Sequence, residues 1–378
     1  MRAANCQLNR FTWEYKHKAT LFSYAVERVP KSSLKVALIG YGVAGKVFHA
    51  PVIRAVSGVE LTHVVRRSGE RIPELPDVRV IGDAGEVLRE AEIDVVVIAT
   101  PNPSHLPLGM AALEAGKHVV IDKPFTITSG DADALIGLAE KKQRVLSVYQ
   151  NRRWDGDFQT LRALLASGAL GDVVSYESNF DRFRLEAKPN AWREQRGAGN
   201  GVLWDLGPHL IDQALTLFGK PKAITADVRQ ERPHAQVDDS FDIHLHYAGL
   251  TVLLRATMVA CAARPWFVVN GTAGSFVKHG IDPQEGQLKA GMSPADPEYG
   301  IEAEAYWGTL TRCSVAGKSE ERIATRRGSY AGFYENLRDA VRGSAKLEVT
   351  ANQARDVVRL IELAHESSAS GTRLEFRD

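Results

Sequence analysis

The chain has 378 residues, with 47 basic and 46 acidic side chains and a formal net charge of +1. This length predicts two domains, each large enough to bury its own core. The balanced charge without a long basic run argues against a nucleic-acid or membrane partner, and no apolar stretch reaches the roughly 18 residues that a membrane helix needs.

The spacing of the cysteines and histidines indicates the redox compartment of the protein and whether it has a metal site. The three cysteines lie far apart, and none is in a zinc-ligand or Cys-x-x-Cys spacing. Such sparse cysteines are typical of a reduced, cytoplasmic protein. His244 and His246 would share one face of a strand, but a zinc site would require them to converge with Asp205 and His209, so we predict no metal.

Residues 1–33 precede the first convincing strand and have no apolar core of the kind that marks a secretory signal. We predict a disordered N-terminal extension, because chain termini become ordered only when something holds them. An upstream translation start is one alternative. The other is an arm that packs on a neighbouring subunit through five aromatic side chains, Phe11, Trp13, Tyr15, Phe22 and Tyr24.

A glycine-rich turn follows the first predicted strand. The apolar run from Leu34 leads into the motif Gly40-Tyr41-Gly42-Val43-Ala44-Gly45. In this pattern the first glycine allows a tight turn, the second lets main-chain amides approach a pyrophosphate, and the third lets a helix pack on the strand. A strand, this turn and an amphipathic segment together predict a dinucleotide-binding site at a helix N-terminus.

Residues 34–150 alternate β-rich runs with helical segments, which predicts an α/β domain with a doubly wound parallel sheet. After the first strand, further strands are predicted at 59–66, 93–100, 117–122 and 144–150. Helices are predicted at 83–91, 103–115 and 128–142.

Residues 151–378 have a different order of predicted helices and strands. Helices are predicted at 156–167 and 201–218, followed by strands at 223–232, 240–247, 251–257 and 266–270. Strands in direct succession pair antiparallel, so this part is predicted to be an α+β domain with a mostly antiparallel, open sheet. A last helix at about 350–367 is expected to pack across the two domains.

Arg66, Arg67 and Ser68 lie where the second strand ends, at the position where NAD-binding proteins usually carry an acidic residue for the ribose 2′-hydroxyl. A carboxylate would repel a 2′-phosphate, whereas guanidinium groups bind one through charge-assisted hydrogen bonds. The sequence therefore favours NADP over NAD. The alternative is that both arginines are solvated surface residues.

The next two strands also end in polar residues. Thr100, Asn102 and His105 follow one strand, and Asp122-Lys123 follows the next. Open α/β sheets bind ligands at this carboxyl edge, so the first three side chains could contact the cofactor, and Lys123 could hold a substrate hydroxyl. Each position has a simpler interpretation, a plain loop for the first group and a surface charge for the lysine.

Asp205 and His209 lie four residues apart near the start of a predicted helix, so they share one face. Histidine titrates near neutral pH and suits proton exchange with an alcohol, and the carboxylate could orient the ring or bind another hydroxyl group. For this pair alone, a helix-start aspartate and a core histidine are the simpler interpretation.

Taken together, these motifs resemble the Gfo/Idh/MocA oxidoreductase family over about residues 34–370. The segments that carry the resemblance are 40–45, 99–102, Asp122-Lys123-Pro124, 149–154 and 205–209. Within the family, segments 149–158 and 296–308 are similar to the branch of NADP-dependent scyllo-inositol dehydrogenases and related sugar oxidoreductases. Asp122 stands where the family usually has glutamate.

The resemblance implies a Rossmann domain over 34–150 and a C-terminal substrate-binding and dimerisation domain over 151–378. It implies that Lys123 and His209 are catalytic, that Asp205 orients the substrate or His209, and that a cis bond precedes Pro124. Further residues implied are Asp122, Lys123 and Gln150 on the cofactor side, and Asn151, Arg152 and Trp154 on the substrate side.

The predicted function is hydride transfer between a ring hydroxyl of an inositol or sugar and the nicotinamide of NADP. The expected partners are a polyol or sugar substrate and further copies of the chain, as a dimer or tetramer formed through the C-terminal sheet. The alternatives are an aldose or dicarbonyl reductase of the same family, and a non-enzymatic NADP-binding regulatory protein.

Overall fold

The computed structural model describes residues 33–186, 192–314 and 317–377. Apart from Ser33, the predicted N-terminal extension lies outside the described residues.

The N-terminal sheet has six parallel strands in the order β3-β2-β1-β4-β5-β6. The strands are β1 (Leu34–Ile39), β2 (Val59–Val65), β3 (Arg79–Ile81), β4 (Val95–Ile98), β5 (His118–Ile121) and β6 (Leu146–Val148). This order confirms the predicted doubly wound α/β fold. The short strand β3 at the sheet edge was not predicted, because three residues are too few for a recognisable pattern.

Helices connect these strands. Segment Ala44–His49 is a π-helical turn that continues as α1 (Ala50–Arg54), and it is followed by α2 (Ala84–Arg89), α3 (His105–Glu114) and α4 (Ser129–Lys142). The side chain of Thr128 begins α4 by accepting a hydrogen bond from the Asp131 main-chain N–H at 3.1 Å. The strand β4 is buried along its whole length, as expected of a central parallel strand covered on both faces.

The C-terminal sheet has nine strands in the order β14-β13-β12-β11-β7-β10-β9-β8-β15. The strands are β7 (Val173–Asp181), β8 (Ala223–Arg229), β9 (Ser240–His246), β10 (Thr251–Thr257), β11 (Phe267–Gly271), β12 (Ser275–Lys278), β13 (Gly308–Ser314), β14 (Gly317–Ile323) and β15 (Leu374–Glu375). The sheet is mostly antiparallel, as predicted, but β7 and β10 pair in parallel.

Strand β7 was not predicted, although it lies between β10 and β11 within the sheet. Its buried side chains include the polar Ser178 and Asn179 beside Tyr176 and Phe180. The polar pair interrupts the alternation of apolar and polar residues by which a half-buried strand is recognised.

The remaining helices are α5 (Gly156–Ala166), α6 (Val202–Phe218), α7 (Gln284–Lys289), α8 (Ala331–Val341) and α9 (Ala351–Ser370). Helices α6 and α9 pack on one face of the C-terminal sheet, against β10 and β8 respectively. In β9 the alternate residues Phe241, Ile243 and Leu245 are fully buried. The intervening residues of this strand are polar and form the opposite face of the sheet.

Helix α9 contacts elements of both sheets, including α4 and β6 on one side and α6 and β8 on the other. The carboxylate of Glu362 accepts hydrogen bonds from the main-chain N–H of Ser129 at 2.7 Å and from its hydroxyl at 2.8 Å. Arg355 pairs with Asp133 on the same helix α4 at 3.0 Å. The last helix therefore connects the two sheets.

Candidate active site

The glycine turn after β1 combines two tightly packed positions with an open one. A Cβ atom on Gly40, whose φ is +102°, would lie 2.5 Å from the Ala99 carbonyl oxygen, and one on Gly45 would lie 2.0 Å from the Gly40 carbonyl oxygen. A Cβ on Gly42 would meet no atom within 4 Å. No side chain caps the helical segment that begins at Ala44. The turn thus fits a pyrophosphate, since open space adjoins free main-chain amides.

Arg66, Arg67 and Ser68 follow β2 beside this turn, because the Gly40 main-chain N–H donates to the Val65 carbonyl oxygen at 3.0 Å. The Arg66 side chain donates to the Ser68 hydroxyl at 2.8 Å and pairs with Glu70 at 3.1 Å. Arg67 is exposed. Two guanidinium groups and a hydroxyl group therefore occur at the strand end where a ribose would lie.

The polar residues after β4 form hydrogen bonds that connect neighbouring loops. The Asn102 amide donates to the Gly199 carbonyl oxygen at 2.8 Å, and the Thr100 hydroxyl accepts from Ser104 at 2.7 Å. The His105 ring is 1% exposed, and its two nitrogens lie 2.9 Å from the carbonyl oxygens of Pro124 and Thr100. Because both nitrogens face main-chain oxygens, His105 joins the loops after β4 and β5 and is not placed to contact a cofactor.

Lys123 follows β5, and its side chain extends to helix α6, which packs on the C-terminal sheet. Its ammonium group donates to the main-chain oxygen of Asp205 at 2.6 Å and to the carboxylate of Asp205 at 3.0 Å. The Lys123–Pro124 peptide bond is cis. The preceding Asp122 is buried, and its carboxylate accepts from the Lys123 main-chain N–H at 2.9 Å and lies 3.7 Å from the His49 ring.

Helix α6 follows a position that has no room for any side chain and is therefore occupied by glycine. Gly201 has a φ of +103°, and a Cβ there would lie 2.1 Å from the Asp238 carboxylate. That carboxylate accepts from the Leu203 main-chain N–H at 2.7 Å, which satisfies a donor at the start of the helix. Asp205 and His209 follow on successive turns, and both line the same cleft as Lys123.

Asp205 is held in its ionised form. Burial by itself would raise its pKa, but Lys123 and Arg193 together hold that pKa well below the usual range. Arg193 lies 3.8 Å from the carboxylate.

His209 is held in its neutral form. The side chain is 7% exposed, and its Nδ1 has no hydrogen-bond partner within the part of the chain that the structure describes. Burial, followed by the positive charges of Lys123 and Arg152, lowers the pKa of His209 well below its usual value, although Asp205 acts in the opposite direction. A neutral imidazole at the wall of a cleft can accept a proton from a hydroxyl group.

The cleft has a volume of about 970 Å³ and lies between the N-terminal sheet edge, α6 and the end of β7. Asn151 and Arg152, which the family resemblance implied on the substrate side, line it. Helix α6 holds their turn in place, because Gln213 donates to the Arg152 carbonyl oxygen at 3.0 Å and Asp212 accepts two hydrogen bonds from Arg153, each of 2.7 Å.

The structure places Trp154 and Gln150 away from this cleft. The Trp154 ring packs edge-on against Phe333 at 5.7 Å and lines a separate cavity of about 570 Å³. Neighbouring residues in a tight turn point in different directions, so Arg152 and Trp154 face opposite sides. Gln150 is buried, and its amide oxygen has no partner among the described residues.

One wall of the cleft was missed by sequence reasoning. It consists of residues at the end of β7 and in the loop before β11, among them Phe180, Arg182, Arg264 and Trp266. The concentration of aromatic and basic residues over 180–184 was the available signal.

No group of three or more histidine, cysteine, aspartate or glutamate side chains in the described ranges is arranged to hold a metal ion. The rings of His244 and His246 lie 4.0 Å apart, and His246 pairs with Thr225 at 2.9 Å. Within the same ranges, every helix is too short or too polar to cross a membrane.

Comparison with known proteins identifies the family. Residues 34–150 match the family model described as "Oxidoreductase family, NAD-binding Rossmann fold", and residues 162–376 match "Oxidoreductase family, C-terminal alpha/beta domain". The chain belongs to the Gfo/Idh/MocA oxidoreductase family. It is therefore an oxidoreductase with an NAD(P)-binding Rossmann domain, as the resemblance implied.

Similar proteins of this family cover nearly the whole chain. The oxidoreductase YdgJ of Escherichia coli is 46% identical over 89% of this chain and 96% of its own length. The scyllo-inositol 2-dehydrogenase (NADP(+)) IolW of Bacillus subtilis is 38% identical over 89% of this chain and 94% of its own. The solved structure of the oxidoreductase yvaA from Bacillus subtilis has a TM-score of 0.88 at 36% identity and covers 92% of this chain and 99% of that one.

Proposed function

We propose that this oxidoreductase is an NADP-dependent dehydrogenase that acts on a ring hydroxyl group of an inositol or a sugar. The observation that carries the proposal is the cluster of Lys123, Asp205 and His209 at the edge of the nucleotide-binding sheet. The similarity to IolW, which is a scyllo-inositol 2-dehydrogenase (NADP(+)), supports both the substrate class and the cofactor.

The cofactor would be held by the Gly40–Gly45 turn, and its 2′-phosphate by Arg66, Arg67 and Ser68. When bound, the cofactor would supply the acceptor for the hydride that leaves the substrate carbon in oxidation, and the donor of that hydride in reduction. Arg66 already pairs with Glu70, whose side chain is exposed, so an incoming phosphate would compete with that carboxylate for the guanidinium.

Lys123 would hold the reacting oxygen. An ammonium group has three N–H donors, and Asp205 accepts two hydrogen bonds from this one. Within the described residues the third N–H has no partner, so it is available to donate to a substrate oxygen and to stabilise the negative charge that develops there. Asp205 keeps the ammonium group pointed at the cleft.

His209 would exchange the proton. In oxidation the neutral ring accepts the hydroxyl proton while the carbon loses its hydrogen and a carbonyl group forms. In reduction the protonated ring returns the proton to the carbonyl oxygen. Asn151, which lines the cleft, would contribute an amide that can both donate to and accept from hydroxyl groups of a polyol.

We also propose a cytoplasmic homo-oligomer, a dimer or tetramer formed through the C-terminal sheet. The free thiols of Cys261 and Cys313 are exposed, which suits a reducing compartment. Support for the assembly comes from the sheet, because the side chains of β9 that alternate with its buried residues are only half-buried in the single chain. Light scattering of the purified chain would test the assembly.

The experiment that tests the function is the absorbance change at 340 nm with a panel of inositols, aldoses and their keto forms, with NADP and NAD in parallel. Turnover of an inositol or sugar with NADP supports the proposal. Turnover with NAD at equal or greater efficiency would contradict the cofactor preference, and an inert panel in the presence of bound cofactor would contradict the substrate class.

A further inference from the structure

Arg182 lies on the cleft wall directly after β7, and its backbone is fixed on both sides. Its main-chain N–H donates to the Thr257 carbonyl oxygen at 2.9 Å, and its own carbonyl oxygen accepts from Ala260 at 3.0 Å. The guanidinium lies over the Phe180 ring, 4.7 Å from the ring centre. A guanidinium stacked in this way keeps its N–H groups directed outward, in its own plane.

Among the described residues, none forms an ion pair or a side-chain hydrogen bond with this guanidinium. Asp205 and Glu285 favour its charged form, but neither lies within ion-pair distance. The side chain is half-buried, and burial lowers the pKa of Arg182 although Asp205 and Glu285 act in the opposite direction.

The other arginines of the cleft differ from Arg182 in this respect. Arg152 pairs with Asp155 at 3.1 Å and with Glu285. Two more pairs line the same wall, Arg184 with Glu194 at 2.5 Å and Arg264 with Asp181 at 2.6 Å. Each of these three cations, like Arg193 beside Asp205, therefore lies within ion-pair distance of a carboxylate.

The region around Asp205 has surplus positive charge. Its single carboxylate faces the ammonium of Lys123 and the guanidinium of Arg193, and Arg182 also contributes to lowering its pKa. Glu285 is a second carboxylate that acts on Arg182, and it is already paired with Arg152 and Lys289. The two carboxylates thus face more positive charges than they can balance. An anionic group that enters the cleft would complete the balance.

We propose that Arg182 is a specificity residue that binds a carboxylate or phosphate group of the substrate. The substrate is then an anionic polyol or sugar, such as a sugar acid or an inositol phosphate. The planar fork of a guanidinium matches the paired oxygens of either group. This inference rests on the proposed function, because it places the anion in the same cleft as Lys123 and His209.

The test uses matched neutral and anionic compounds with the NADP-loaded enzyme. The pairs are D-glucose with D-glucuronate, D-galactose with D-galacturonate, and myo-inositol with myo-inositol 1-phosphate. We expect kcat/KM to be about tenfold or more higher for the anionic member of at least one pair, as for a charge-assisted hydrogen bond. Comparison of the sugar-acid pairs with the phosphate pair distinguishes a carboxylate from a phosphate.

Two variants assign the preference to Arg182. Arg182→Met keeps an unbranched side chain over Phe180 but removes the charge, and should abolish the preference through a higher KM for the anion. Arg182→Lys keeps the positive charge but not the planar guanidinium, so it should retain part of the preference for the anionic compound. Arg162→Met is the matched control, because Arg162 is exposed on α5 and does not line the cleft. Thermal unfolding shows whether each variant folds.

Calorimetric binding of the same compounds separates this inference from the proposed function. Turnover of neutral members without any preference for anions would refute the role of Arg182 and leave the dehydrogenase intact. Anion binding that depends on Arg182, without turnover of any pair, would support the subsite and contradict the proposed reaction. Equal losses for both members of a pair in Arg182→Met would show that Arg182 acts on the reacting oxygen, which overturns the inference.

Discussion

The ammonium group of Lys123 donates hydrogen bonds to both the main-chain oxygen and the carboxylate of Asp205, 82 residues further along the chain. One residue ends a strand of the N-terminal sheet, and the other lies in the first turn of α6 beside the C-terminal sheet. The contact therefore joins the two layers at the cleft and positions the lysine by a partner that is itself part of the site.

Replacement of His209 by alanine should lower turnover by a factor of about 10² to 10⁴, because the proposed proton acceptor is lost. Cofactor affinity should change little, since the glycine turn and the arginines after β2 are untouched. Steady-state kinetics and fluorescence titration with NADPH would measure the two quantities. An unchanged turnover number would remove His209 from the mechanism.

The pH dependence of oxidation should follow His209. The reaction needs the neutral ring, so the rate should fall on the acid side as the pH drops through the pKa of His209, which lies well below 6.5. The rate of the wild-type enzyme should thus be nearly constant from pH 8 to 6.5. In Arg182→Met this limb should move to higher pH, because Arg182 is one of the cations that lower that pKa. An acid limb centred above pH 6.5 in the wild-type enzyme would contradict the assignment.

Single alanine substitutions at two glycines of the turn after β1 should have different effects, one on cofactor binding and the other on stability. Gly42→Ala should leave the melting temperature unchanged and weaken NADP binding, because its Cβ would enter open space where the pyrophosphate is proposed to lie. Gly45→Ala should lower the melting temperature, since its Cβ would lie 2.0 Å from the Gly40 carbonyl oxygen. Calorimetry and NADP titration of both variants would test this, and equal NADP affinity in Gly42→Ala and the wild-type protein would argue against the proposed cradle.

Replacement of Arg66 and Arg67 by alanine should weaken NADP binding about tenfold or more and NAD binding much less, because only NADP carries a 2′-phosphate. Dissociation constants for both cofactors would measure this. Arg71→Ala, an exposed arginine in the same loop, is the control. Equal losses of affinity for the two cofactors would show that the arginines stabilise the loop and do not bind the 2′-phosphate.

Several features of this protein follow from residues that lie close together in the sequence. The Gly40–Gly45 turn, the fully apolar strand β4 and the pairing of Asp205 with His209 on one helical face were all predictable. Each depends on local backbone geometry or on the period of a single helix or strand, and both are encoded by near neighbours. The family resemblance rests on the same local motifs.

Other features were decided by contacts between distant segments. Strand β7 lies between β10 and β11, His105 holds two loops together by their main-chain oxygens, and Trp154 points away from the cleft that Arg152 lines. Within the described residues Arg264 has a carboxylate at ion-pair distance and Arg182 has none, which depends on which strands lie beside each other. The sequence by itself determined most strands and helices of the N-terminal domain and the residue types at their ends. Only the tertiary structure decided which of those side chains meet, because sheet order and the packing of α6 against the C-terminal sheet depend on contacts across the whole chain, which no local period encodes.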